Sequence, residues 1–153
     1  MPRLQREAQT TWEGNVARGS GTISAATGAF EDLPYSLATR IEKQDGKTSP
    51  EELLAAAHAA CFAMSLAGEL AGAGHAPEHL DVQAVVTLDQ VEDGSHRIVA
   101  SELFARARVT GIDAAGLQQV AAGASKGCTF SALIEASGTV TVNATLEGGT
   151  DGD

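Results

Sequence analysis

The chain has 153 residues, 43% of them hydrophobic and 20% charged, which sizes it for one domain with a true hydrophobic core and excludes a disordered chain. A net charge of -10 opposes a phosphate backbone or an anionic lipid surface over most of the protein, so neither nucleic acid nor a membrane is the expected partner. Aromatic residues are only 4%, so the core must be built from Ala, Val and Leu.

The N-terminal stretch "MPRLQREAQTTWEG" has early arginines and no apolar run, so it is not read as an export signal. From Glu7 to Ala25 the Thr-rich segments "AQTTWEGNV" and "GSGTISA" predict a hairpin turning near Arg18 and Gly19. After "TGAFEDLP", the alternation in "YSLATRIE" predicts a third strand, and "KQDGKTS" a polar loop. The next segment, "TSPEELLAAAHAACFAMSLAGELAGAG", carries helix signals: Ser49 to cap, Pro50 at the first position, Glu51 and Glu52 in the first turn, and Gly72 to Gly74 to stop it. Its uncharged part, Leu53 to Gly68, is 16 residues and falls short of a membrane span. The alanines, with Gly68 and Gly72, leave little bulk on this helix, which predicts a central element closely crossed by another helix.

Two alternating runs flank "EDGS" within "HLDVQAVVTLDQVEDGSHRIVASELFARARVTG" and predict a long two-stranded ribbon. "DAAGLQQVAAGASKG" reads as a helix capped by Asp113 and stopped at Gly127, a second short helix opens at Cys128, and "SGTVTVNATL" is a last strand. The order β-β-β-α-β-β-α-α-β gives an α+β fold with largely antiparallel sheets in a single domain over residues 1–153, with 148–153 as a flexible tail. Three plus three strands cannot fully bury so apolar a helix in one chain, and a tightly interlocked dimer would.

Two cysteines do not make a secreted disulfide framework, so the expected compartment is the cytoplasm, and the "NAT" at Asn143 is read as a chance glycosylation match. Cys61 and Cys128 are also too few for a structural zinc site, with only His58 sharing the Cys61 stripe. Periodicity alone favours two inert core cysteines. Placement shifts that balance somewhat toward chemistry: the start of a helix would suit Cys128 as an exchanging thiol, while Cys61, deep in its own helix, needs a cation. His58 reads as a satisfied packing residue rather than a base, and His75, His79 and His96 form no cluster.

The motifs "PYSLATRIE", "TSPEELLAAAHAACFAMSL", "VTGIDAAGL" and "KGCTFSAL", spread from about Trp12 to Leu146, resemble those of the OsmC/Ohr family of thiol peroxidases, most closely its OsmC branch. The resemblance implies an OsmC-like fold of sheets around long central helices in an intertwined homodimer, with active sites at the interface and no cofactor or metal. It implies that Cys61 is the peroxidatic cysteine, Cys128 the resolving one, Arg40 the activating cation and Glu51 the carboxylate that orients it. In the sister Ohr branch the arginine comes from the earlier hairpin, which makes Arg18 the reserve. The implied partners are a small hydroperoxide and a dithiol or lipoylated-protein reductant.

Arginine suits the role, being permanently charged with a planar fork that can hold thiolate, peroxide oxygen and carboxylate together. Glu51 and Cys61 lie about 15 Å apart along one helix, so their cluster is expected to form across the two-fold axis of a dimer. Leu54, Phe62, Met64 and Phe130, with Tyr35 or Phe30, are the expected apolar lining, which would favour organic hydroperoxides over hydrogen peroxide. The family's usual proline after the second cysteine is replaced by Thr129, which puts the rigidity and acidity of Cys128 in question, although its hydroxyl could hydrogen-bond a nearby sulfur. The rival readings are a non-catalytic dimeric module that binds an apolar ligand at its interface and a zinc-dependent hydrolase.

Overall fold

The computed structural model describes residues 3–42 and 44–148. Most of the expected tail, 149–153, therefore lies outside the described residues. The chain divides between Leu53 and Leu54 into two compact units.

The first unit holds a three-stranded antiparallel sheet in the order β1 (Ala8–Glu13), β2 (Ser20–Ala25), β3 (Leu33–Tyr35). The β1–β2 turn is closed by Gly19 N–H donating to Asn15 O at 2.7 Å. Gly21 is obligatory in β2, because a Cβ there would meet the Tyr35 ring at 2.8 Å. The expected third strand is shorter than its alternation suggested and lies earlier. Only Leu33 to Tyr35 pairs with β2, and Leu37–Ile41 forms a short helix, α1. The local cap outcompetes the pattern: Ser36 Oγ accepts from Thr39 N–H at 3.3 Å, and Thr39 Oγ1 accepts from Ser36 N–H at 3.0 Å, a reciprocal box. Thr39 also donates to Thr48 O at 2.9 Å, which anchors the loop that leads to the long helix.

That helix, α2 (Pro50–Gly72), starts in the first unit and continues in the second. Ser49 caps it as expected, its Oγ accepting from Glu52 N–H at 3.2 Å. Gly74, at φ 85°, ends it in a paired C-terminal motif: His75 N–H donates to Leu70 O at 2.8 Å and Gly74 N–H to Ala71 O at 3.0 Å. Its 23 residues exceed the uncharged 16-residue stretch, and by length and composition alone it could reach across a bilayer. The core helix of a globular domain meets the same criteria, and a stripe of His58, Phe62, Leu66 and Leu70 at i, i+4 spacing is buried as a core helix requires.

In the second unit β4 (His79–Gln90) and β5 (His96–Arg108) form the long antiparallel ribbon, with a register shift between Thr87 and Leu88. Helix α3 (Ala114–Gly127) is capped by Asp113, whose Oδ1 accepts from Gly116 N–H at 2.7 Å. Helix α4 (Thr129–Glu135) follows at once, and β6 (Thr139–Leu146) returns beside β5. This last pairing is parallel, so the second sheet, ordered β4-β5-β6, is mixed rather than antiparallel. Two helices intervene between β5 and β6, and a crossover of that length lets a strand return in the same direction. The core of this unit joins Phe62, Leu66 and Leu70 of α2 to Leu103 and Ala105 of β5 and Leu117 and Ala121 of α3.

Candidate active site

Cys61 sits on α2 one turn after His58 and is half-buried, whereas Cys128 is only 1% exposed. Cys128 is both the last cap of α3 and the first cap of α4, its N–H donating to Ser125 O at 3.1 Å. A short break between two helices thus delivers its side chain to α2. Thr129, the first residue of α4, brings its Oγ1 to 3.7 Å from Cys61 Sγ, a sulfur hydrogen bond.

These contacts set the acidity of Cys61. Burial pushes the thiol up, but the Cys128 thiol, the backbone N–H groups of Phe130 and Thr129 and the Thr129 hydroxyl all donate to its sulfur, and the balance lies below the ordinary thiol value. Backbone N–H groups at the start of α4 are thus among the causes that lower the Cys61 pKa, help that its depth in α2 does not give it. Thr129 contributes both an N–H and a hydroxyl, where a proline would supply neither.

His58, one turn before Cys61 on α2, is fully buried, with Nδ1 2.7 Å from Ser101 Oγ and Nε2 2.9 Å from Ser131 Oγ. Ser131 Oγ lies 3.1 Å from Ser125 Oγ, which completes a hydroxyl–imidazole chain from β5 through α2 to α4 and α3. Burial lowers the histidine pKa, so the ring is neutral, one nitrogen donating and the other accepting. The packing role expected of His58 is thus the observed one. Its two serine partners, and Ser125 behind Ser131, were missed, since nothing in their spacing connects them to a histidine on another element.

In the first unit Arg40, on α1, clasps Glu51, in the first turn of α2: Nε and Nη2 both reach Oε1, at 2.8 and 2.7 Å. The other oxygen, Oε2, is buried without a hydrogen-bond partner among the described residues. Arg18 stands instead in the exposed β1–β2 turn, with its backbone N–H on Asn15 Oδ1 at 3.0 Å. Arg40 borders a crevice of about 220 Å³ whose other walls are Trp12, Val16, Tyr35, Ser36, Leu37 and Pro50. The Trp12 and Tyr35 rings lie tilted against each other with centroids 5.5 Å apart, and Trp12 lines this crevice rather than a core.

The expected apolar lining needs correction at Phe62, which belongs to the buried stripe of α2 and cannot face an open pocket. Met64 is 71% exposed, and Phe130 packs against the core of the second unit. Among the described residues no group of three His, Cys, Asp or Glu side chains is arranged to hold a metal ion.

A family model described as OsmC-like protein matches residues 43–143. Peroxiredoxin OsmC of Escherichia coli (strain K12) is 40% identical over 133 residues, which cover 87% of this chain and 92% of that protein, and its Shigella flexneri counterpart gives the same values. Among solved structures, the organic hydroperoxide resistance protein OsmC from Legionella pneumophila superposes with a TM-score of 0.73 at 20% identity, covering 94% of this chain and 99% of that one. The organic hydroperoxide resistance protein OhrB of Bacillus subtilis gives a TM-score of 0.67 at 25% identity, over 92% of this chain and 98% of its own. With a family model matching residues 43–143 and a relative 40% identical over most of both chains, the chain belongs to the OsmC family.

Proposed function

We propose that the protein is a thiol peroxidase of stress defence that reduces organic hydroperoxides to alcohols through Cys61 and Cys128. One observation carries the reading: the half-exposed Cys61 thiol, 3.7 Å from the Thr129 hydroxyl and held below the ordinary thiol pKa, packs against the core cluster that contains the buried Cys128. Its relatives named peroxiredoxin and organic hydroperoxide resistance protein support the same chemistry.

The Cys61 thiolate attacks the outer oxygen of ROOH; the O–O bond breaks, Cys61 becomes a sulfenic acid, and the alkoxide takes a proton to leave as ROH. Cys128 then attacks the sulfenic sulfur, forming the disulfide and releasing water. A dithiol reductant, of which lipoylated proteins are one class, reopens the bridge by exchange and is itself oxidised to a disulfide. Such a cycle suits a reducing compartment such as the cytoplasm.

The Arg40–Glu51 pair supplies the cation that steadies the thiolate and the peroxide oxygen, and the crevice beside it accommodates an alkyl or aryl group in preference to hydrogen peroxide. Because Glu51 and Cys61 are about 15 Å apart along α2, the reading has the pair of one subunit serving Cys61 of the other in a homodimer.

The test is the intact mass of the protein after one equivalent of cumene hydroperoxide. Loss of two hydrogen atoms marks the disulfide. Cys61→Ser should abolish the change, and Cys128→Ser should consume one peroxide and halt as a dimedone-reactive sulfenic acid. Parent protein that keeps both thiols sinks the peroxidase and favours a dimeric module that only binds an apolar ligand.

A further inference from the structure

Thr129 is the first residue of α4, one position past the cap, and Cys128 in the cap position makes no side-chain capping bond. The Thr129 hydroxyl is therefore not engaged in closing its own helix. Its side chain is exposed, where water could satisfy it, yet its hydrogen-bond partner among the described residues is Cys61 Sγ at 3.7 Å. A neutral thiol and a hydroxyl can each donate to the other. An anionic sulfur can only accept, so the contact strengthens when Cys61 ionises and selects the thiolate.

We propose that Thr129 is a catalytic residue whose hydroxyl donates to the reacting sulfur and keeps Cys61 ionised by means internal to residues 54–148. The proposal rests on the peroxidase reading for its purpose and on the α2–α4 contact for its geometry. Ionisation sends the Cys61 proton to solvent and needs no further reactant. The titratable groups beside it include Cys128, which faces Cys61 from the α3–α4 junction, and His58, one turn before Cys61 on α2, whose ring burial keeps neutral between Ser101 and Ser131. Neither brings a positive charge to the sulfur, so hydrogen-bond donors carry the effect within this unit. The guanidinium then adds to a thiolate that is already favoured.

Thr129→Val keeps the β-branched shape and deletes the donor, whereas Thr129→Ser keeps the donor. The measurement is the pH profile of Cys61 alkylation by iodoacetamide in the full chain, with peptide mass spectrometry separating Cys61 from Cys128. Thr129→Val should move the midpoint up by about one pH unit, the scale of a single hydrogen bond to a charged group. Thr129→Ser should stay within a few tenths of a unit of the parent by the same scale. A Thr129→Val profile that superimposes on the parent overturns the proposal, and so does a Thr129→Ser profile that moves as far as Thr129→Val. If the shift appears but the parent consumes no hydroperoxide, the hydrogen bond stands and the peroxidase reading falls.

Discussion

Arg40 and Glu51 make an asymmetric ion pair. Both guanidinium contacts fall on Oε1, while Oε2 is buried without a partner among the described residues. The side chain that this carboxylate holds is a partly exposed arginine beside an apolar crevice. If the pair steadies the reacting sulfur and oxygen, Arg40→Ala should slow the peroxide-driven step by about a hundredfold, the scale for removing one preorganised donor aimed at developing charge. Arg18→Ala should leave the rate within about twofold, since a lone charge in an exposed turn is screened by water and salt. Stopped-flow oxidation by tert-butyl hydroperoxide measures both, and the reverse ranking would make Arg18 the activating cation. Arg40→Lys separates charge from geometry, because lysine retains the cation and loses the planar fork.

At the scale of elements, α2 carries a buried stripe at His58, Phe62, Leu66 and Leu70 and an exposed one at Ala56, Ala60, Met64 and Gly68. His58 is the polar tie in the buried stripe, joining α2 to β5 and to the helix that presents Thr129. Its folded pKa lies below the ordinary histidine value, so the unfolded chain binds the proton more readily. Stability from this group is therefore complete above the ordinary value and lost as pH falls through it. Thermal unfolding should show a Tm that drops between about pH 7 and pH 5, with a smaller drop in His58→Gln, which cannot titrate. Equal drops in the two proteins would assign the acid sensitivity to other groups. The caps at Ser49 and Asp113 and the β4–β5 ribbon were legible in the sequence because each rests on neighbours along the chain. α1 was not, because the Ser36–Thr39 box is a local bond set hidden inside an alternating pattern. Nor was the parallel return of β6, because strand direction depends on a crossover rather than on strand composition. Both cysteines and Thr129 stood out as residue types, but which sulfur the Thr129 hydroxyl reaches required coordinates.

For the whole molecule, the exposed stripe of α2 poses the remaining question. Ala60 and Gly68 expose backbone on either side of Met64, which is 71% exposed, and a Cβ added at Gly68 would meet nothing within 4 Å. Small residues at i, i+4 spacing with one large apolar side chain between them form a surface that a second helix can approach closely. The proposed site makes the same demand, since it joins Glu51 and Cys61, ten residues apart in sequence, through a second subunit. A two-fold axis through this stripe would meet both demands of the proposed dimer, in which each subunit's ion pair serves the other's cysteine. The parent should therefore sediment at twice 15.6 kDa. Ala60→Arg, which sets a bulky cation on the stripe and leaves the cysteines untouched, should sediment as a monomer. The monomer should also oxidise more slowly by about the factor expected for Arg40→Ala, because it loses the same guanidinium by a different route. A parent that sediments as a monomer yet turns over at full rate would show that each chain completes its own site.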